Sequence, residues 1–81
     1  MTSFNDRWHR ITQHSNSEIQ SVIAEHVHGQ KNQAIMRHLF VDGLTYEATA
    51  EMQDVDMSVR GVYYRVDKIC PEVERRLGKL N

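Results

Sequence analysis

The chain has 81 residues, 40% of them hydrophobic and 26% charged, and its ten Lys and Arg against eleven Asp and Glu give a net charge of -1. This length supports a single small domain over 1–81, with an expected net stability of about 5 kcal/mol. The charge excludes a polybasic nucleic-acid coat, the composition excludes a disordered tail, and the size disfavours an elaborate enzyme pocket. We therefore do not expect an enzyme.

Cysteine usage and hydropathy indicate the compartment. The single cysteine, Cys70, cannot form an internal disulfide, which favours a reducing environment. No run of residues approaches the roughly 20 apolar positions of a membrane span, and the first residues lack the basic-then-apolar order of a signal peptide. The sequence therefore predicts a cytoplasmic protein with no membrane partner.

The first two predicted elements are helices. An N-terminal helix or arm over 1–16 has three apolar residues on one side: Phe4, Trp8 and Ile11. Ser17 and Gln20 have the spacing of a capping box, which predicts that the second helix begins at Glu18. Its apolar stripe comprises Ile19, Val22, Ile23 and Val27. Gly29 can supply the left-handed residue after a helix, so this helix should end near His28.

Two further helices follow. The third has four inward-facing positions, Ala34, Ile35, Leu39 and Phe40, and should stop at Asp42 and Gly43. Thr45 is a good N-cap for a short fourth helix at roughly 45–53, with Glu47 in its first turn, where the helix dipole favours an anion. The inner face of this helix is expected to consist of Ala48, Thr49 and Met52.

The last third of the chain predicts a longer helix and a break. Ser58 can cap a helix whose apolar positions recur at the helical period: Val59, Val62, Val66 and Ile69. Pro71 lacks an N–H and disfavours the α conformation at Cys70, so we expect a separate C-terminal helix over 70–81 that restarts at Pro71. Because no segment alternates like a strand, the predicted fold is an all-α domain of four or five helices within which 17–69 form the core.

The segment at about 45–69 has the organisation of a helix-turn-helix. A short helix, a polar turn and a longer helix with aromatic and basic residues outside can place the second helix in a DNA major groove. Residues 42–52, Asp-Gly-Leu-Thr-Tyr-Glu-Ala-Thr-Ala-Glu-Met, resemble the start of the helix-turn-helix in region four of bacterial sigma factors. The segment 40–43, with the later Gly61, Val62 and Val66, is also similar to KorA-type plasmid repressors and pilus-operon regulators.

The sigma resemblance implies that 58–68 form a recognition helix that reads promoter DNA. The chain differs from the sigma pattern in three places. Thr49 replaces an apolar residue, Asp54 replaces a turn glycine, and the turn is about two residues longer. An aspartate can also adopt the left-handed conformation that such a turn needs, so the motif is retained.

Charge is distributed unevenly along the chain. Residues 42–56 contain five acids and no Lys or Arg, whereas 57–81 contain six Lys and Arg against three acids. Arg60, Tyr64 and Lys68 are spaced four residues apart, so one helix face can offer a base-reading Arg and phosphate contacts. Tyr63 is expected to pack in the core or against another subunit. The candidate DNA-binding residues are Thr45, Ser58, Arg60, Gly61, Tyr64, Arg65 and Lys68.

Other reactive residue types carry weaker signals. His26 and His28 point in different directions on a helix, so they are not expected to chelate a metal. Glu47 and Glu51 lack a supporting base and are not expected to be catalytic. Cys70 is expected to be a buried structural thiol. No cofactor is predicted.

The sequence favours a small sequence-specific DNA-binding transcription regulator. Since a monomer of this size reads few base pairs, we expect a homodimer, paired through the N-terminal helices or the C-terminal tail, on a two-fold site. The alternative is a protein-interaction module of sigma-like fold, whose acidic helix binds RNA polymerase or another regulator without reading DNA. The near-zero net charge and the acid-only 42–56 segment favour that alternative.

Overall fold

The computed structural model describes residues 4–79, which form five α-helices. They are α1 (Phe4–Thr12), α2 (Asn16–His26), α3 (Gln30–Phe40), α4 (Tyr46–Glu51) and α5 (Val59–Gly78). No strand occurs within 4–79, so the expected all-α class is confirmed. None of the helices in this range is both long and apolar enough to cross a membrane. Residues 1–3, 80 and 81, and the predicted apolar contact of the Phe4 side chain, lie outside the described part.

Helix α1 packs against the core as its apolar spacing predicted. Ile11 is fully buried, and Trp8 is half-buried with its indole Nε1 donating to the Leu39 carbonyl oxygen at 3.4 Å. The helix contacts α2, α3 and α5. The N-terminal segment is therefore an integral part of this domain.

The start of α2 corrects the predicted cap. Ser15, and not Ser17, is the N-cap, and it forms the capping box with Glu18: Ser15 Oγ accepts from Glu18 N at 3.2 Å, and Ser15 N donates to Glu18 Oε1 at 3.0 Å. Two overlapping serine-based boxes compete here, and the one with a carboxylate gains from the positive end of the helix dipole. The Ser15 backbone hydrogen bond lowers the pKa of Glu18.

The boundary between α2 and α3 also differs from the prediction. Helix α2 ends at His26, and Gly29 is the N-cap of α3 with a φ of 96°. Gly29 has the expected positive φ, but it lies at the start of α3 and does not terminate α2. At the other end of α3, Gly43 has a φ of 76°, and Leu44 N donates to the His38 carbonyl oxygen at 2.9 Å. The predicted stop at residues 42 and 43 is confirmed.

Helix α4 is shorter than expected, and the turn after it is structured. Val55, in the middle of the 52–58 turn, is completely buried and anchors the turn in the core. Asp56, and not Asp54, takes the left-handed conformation, with a φ of 46°. Met52 was expected on the inner face but is 38% exposed, because α4 ends at Glu51 before that turn of helix is complete.

Helix α5 runs through Pro71 without a restart, so the predicted break at 70 and 71 is wrong. A proline inside a helix costs about 3 kcal/mol. The buried stripe of α5 continues at the helical period on both sides of it: Val62, Val66, Cys70, Val73 and Leu77. Burying Val73 and Leu77 contributes about 1.5–3 kcal/mol each, which outweighs that cost. Pro71 is exposed, and so is Asp67, whose carbonyl oxygen has no N–H partner at position 71.

Candidate nucleic-acid interface

Helices α3, α4 and α5 contact one another, and α4, the 52–58 turn and α5 follow in the order of a short helix, a turn and a longer helix. Both of its helices begin at a hydroxyl cap. Thr45 Oγ1 accepts from Ala48 N at 3.1 Å, and Ser58 Oγ accepts from Gly61 N at 3.1 Å. Both residues are exposed, and each hydroxyl keeps its own proton to donate. These two positions can therefore donate to an oxygen of an external anion without losing their caps.

The exposed side of α5 carries the predicted row of three side chains. Tyr64 is 61% exposed, and Lys68 Nζ lies 4.8 Å from its ring centroid in a cation–π contact. Arg60 is exposed one turn earlier and has no ion pair with any described side chain. The three residues therefore lie in a row along α5, with one cation a turn before the aromatic ring and one a turn after it.

Arg65 and Gly61 lie on the side of α5 that faces the start of α3. Arg65 Nη1 donates to Asn32 Oδ1 at 2.7 Å, which ties the two helices together at the surface. The helices enclose a groove of about 500 Å³, here called the α3–α5 groove. Its lining comprises Lys31, Asn32, Met57, Gly61, Tyr64, Arg65, Lys68 and Ile69. Five of the expected DNA-binding residues, those from Arg60 to Lys68, thus lie on or beside one surface of α5, together with Lys31.

Four arginines elsewhere on the domain are paired with carboxylates, whereas the exposed Arg37 and Lys79 have no ion pair among residues 4–79. Arg7 Nη1 lies 2.7 Å from Asp67 Oδ1, and Arg10 Nη2 lies 2.9 Å from Glu74 Oε1. The hydrogen bond from Asp67 raises the pKa of Arg7. Near the end of α5, two further arginines share Glu72: Arg75 Nη2 lies 2.6 Å and Arg76 Nε lies 2.8 Å from its Oε2. In contrast, four cations near the start of α5 have no carboxylate partner among the described residues: Lys31, Arg60, Arg65 and Lys68.

Two tyrosines, one from α4 and one from α5, stack on each other. Tyr46 of α4 is buried, and burial raises the pKa of its hydroxyl. Tyr63 stacks on Tyr46 with ring centroids 4.0 Å apart, yet it remains 46% exposed. The packing expected for Tyr63 is therefore an intramolecular stack that fixes α5 against α4.

Acidic residues concentrate on α4 and the turns at its ends. Glu47 and Glu51 are exposed. The half-buried His38 of α3 bridges two further acids, with Nδ1 3.2 Å from Asp42 Oδ2 and Nε2 2.9 Å from Asp54 Oδ1. Both Asp carboxylates can therefore hold this imidazole, which connects the end of α3 to the turn before α5.

The remaining reactive groups are explained by packing. Within 4–79, no group of three His, Cys, Asp or Glu is arranged to hold a metal ion. Cys70 is buried as expected, and burial raises the pKa of its thiol to about 12. A thiol with so high a pKa stays protonated near neutral pH and is a poor nucleophile.

No family model, curated protein or solved structure matches the chain significantly. The resemblance to sigma region four over about 33–69, carried by the phrase at 42–52, therefore has no support from these comparisons. The sequence analysis did not predict that Asn32 and Lys31 line the α3–α5 groove. Neither residue has a motif around it, because both join the surface only through the packing of α3 beside α5.

Proposed function

We propose that the protein is a small sequence-specific transcription regulator that reads DNA with the amino-terminal half of α5. The carrying observation is a cluster of four cations, Arg60, Arg65, Lys68 and Lys31, that have no carboxylate partner among residues 4–79. Four arginines elsewhere are paired within the domain, and the unpaired Arg37 and Lys79 do not line the α3–α5 groove. Phosphate binding needs such local cations even when the total charge is close to zero. This half of α5 follows a helix and a turn, as a recognition helix does.

In the proposed complex, α5 lies in the major groove. Arg60 can donate two hydrogen bonds to a guanine, and Tyr64 can contact a thymine methyl or a phosphate. Arg65 and Lys68 contact the DNA backbone, and the hydroxyls of Thr45 and Ser58 donate to phosphates beside their helix starts. Regulation then follows by blocking or recruiting RNA polymerase at the promoter.

A homodimer completes this proposal. One copy of α5 covers only a few base pairs, so useful specificity calls for two copies on a two-fold site. A dimer should select a palindromic sequence from a random DNA pool, and sedimentation of the purified chain gives its oligomeric state independently. A monomer that selects a single half-site would refute the dimer but not DNA reading.

The test is selection of bound duplexes from a random DNA pool, repeated with Arg60→Ala. We expect an enriched consensus that loses one or two specified bases in the variant, since a bidentate Arg–guanine contact contributes about 1–3 kcal/mol of discrimination. Arg75→Ala is the matched control, because it removes an arginine of the same helix that is paired with Glu72. A folded wild-type protein that enriches no sequence would overturn the proposal.

A second candidate is the protein-interaction module, which the exposed face of α4 supports. Glu47 and Glu51 are exposed on α4, and Met52, just after its end, is 38% exposed beside Glu51 and Asp54, so this surface offers an apolar contact among acids. In that case RNA polymerase or another regulator is the partner. Binding to purified RNA polymerase should be lost in Glu47→Lys and Glu51→Lys, while Arg60→Ala binds normally. The opposite pattern would favour DNA reading.

A further inference from the structure

We propose that the α3–α5 groove binds a small organic anion with a flat apolar body, of the aryl carboxylate class. This inference deepens the proposed function, because Tyr64, Arg65 and Lys68 of the groove also belong to the proposed DNA surface. It starts from a feature that DNA binding leaves unexplained, which is the apolar floor of the groove.

The floor of the groove consists of apolar groups. Met57 and Ile69 are half-buried beneath the groove. Gly61 lets Met57 and Ser58 pack closely on α5, because a Cβ at this position would lie 3.4 Å from Met57 Sδ and 3.3 Å from Ser58 Oγ. A phosphodiester gains nothing from an apolar floor, whereas a ring system gains by leaving water. The occupant therefore has an apolar body.

The rim supplies positive charge from both helices. Lys31 lies on the α3 side, and Arg65 and Lys68 lie on the α5 side, with no acidic residue in the lining. An occupant complementary to this rim has a negative charge. The volume of about 500 Å³ falls within the range of small-molecule sites and accommodates a fused pair of rings with one carboxylate.

Arg65 is the anchor for the carboxylate. Asn32 Oδ1 accepts from Arg65 Nη1 at 2.7 Å, and Asn32 Nδ2 donates to the His28 carbonyl oxygen at 2.9 Å. The guanidinium is thus oriented by a neutral acceptor, and its other N–H groups remain able to fork onto a carboxylate. Asn32 is a positioning residue in this arrangement, since it sets the direction of Arg65 without supplying charge.

Because Tyr64, Arg65 and Lys68 serve both ligands, the organic anion and DNA exclude each other. This step depends on the proposed function, whereas anion binding itself does not. The two are measured separately: the full chain is titrated with naphthoate in the absence of DNA, and DNA affinity is measured in the absence of naphthoate. Competition is then tested by adding saturating naphthoate to the protein–DNA complex.

In the DNA-free titration, NMR follows the Gly61 amide and the methyl groups of Met57 and Ile69. We expect saturable chemical-shift changes concentrated at these groups when naphthoate is added. The neutral analogue naphthalenemethanol should bind at least about tenfold more weakly. Arg65→Gln should weaken naphthoate binding about tenfold, because a hydrogen bond to a charged group is worth that factor or more. Lys79→Gln, which removes an exposed cation outside the groove, should leave the affinity within twofold.

Asn32→Ala separates positioning from structure. It should weaken naphthoate binding about threefold while leaving naphthalenemethanol binding unchanged, since only the charged ligand uses the oriented guanidinium. Equal affinity for the two compounds, shifts spread over the whole domain, or no effect of Arg65→Gln would overturn the site. If naphthoate binds as expected but no DNA sequence is enriched, the site stands and the proposed DNA function falls.

Discussion

The two halves of α5 both contain basic residues, but they differ in whether those residues are paired with carboxylates. In the carboxyl-terminal half (69–78), every described Arg is held by a carboxylate: Arg75 and Arg76 share Glu72, and Glu74 holds Arg10 of α1. In the amino-terminal half (59–68), the cations have no carboxylate partner among residues 4–79, and Asp67 at its end is the one acid, paired with Arg7. Charge in one half is satisfied inside the domain, and charge in the other is available to a partner.

The comparison shows why a net charge of -1 is a poor guide to function in this chain. The whole-chain sum counts paired and unpaired cations alike, although only the unpaired ones attract an external anion. Pairing also explains the continuity of α5, because the carboxyl-terminal half is held against α1 both by its apolar stripe and by these ion pairs. One half anchors the helix so that the other can project its side chains.

The largest expected effect comes from breaking the anchor with Leu77→Ala. Leu77 is 1% exposed at the end of the buried stripe, so its truncation should lower the free energy of unfolding by about 2–5 kcal/mol. With less apolar burial to oppose the proline, α5 should fray back toward Pro71. Urea denaturation and circular dichroism measure both effects, with Lys79→Ala as an exposed control. Unchanged stability would mean that the carboxyl-terminal half is not an anchor.

The anchor also marks where sequence reasoning fails. Local rules correctly located the hydroxyl caps at Thr45 and Ser58 and the row from Arg60 to Lys68, because these features depend on neighbours a few residues away. The break at Pro71 was wrong because the local cost of proline is smaller than the burial that the helix gains beyond it. Asn32 was missed for a related reason, since its contact with Arg65 spans 33 residues.

A smaller effect of opposite sign is expected from Thr49→Val in α4. The Thr49 side chain is completely buried, and its hydroxyl has no hydrogen-bond partner among the described residues. Replacing an unpartnered buried hydroxyl with a methyl group should stabilise the domain by about 1 kcal/mol. The matched control is Thr45→Val, which removes an N-cap and should destabilise by about the same amount. Destabilisation by Thr49→Val would indicate that the hydroxyl is bonded in solution.

A weaker change tests the boundary between the halves. Asp67→Asn breaks the ion pair with Arg7 and should lower stability by only about 0.5 kcal/mol, because Asp67 is 68% exposed. It also removes the acid next to Lys68, so under the proposed function DNA affinity should rise a few-fold. Glu74→Gln breaks the Arg10 pair with the same change in charge, but farther from the amino-terminal half. A gain in DNA affinity that is equal in both variants would reflect net charge and not the division of α5.

The smallest effect concerns the acid pH range in which Glu72, in the carboxyl-terminal half, loses its negative charge. Two arginines, Arg75 first, lower the pKa of Glu72 from 4.5 to about 2, so its contribution to stability is present above pH 4.5 and is lost as the pH falls toward 2. Glu72→Gln should therefore lower the urea midpoint slightly at neutral pH and flatten its decline in this acid range. Some decline should remain, because the pKa of Glu18 is lowered as well. The control is Glu51→Gln, which alters an exposed acid outside the described ion pairs and should leave the acid decline of the urea midpoint unchanged. If Glu51→Gln flattens the decline as well, overall charge, and not the pairing of Glu72, sets the acid sensitivity.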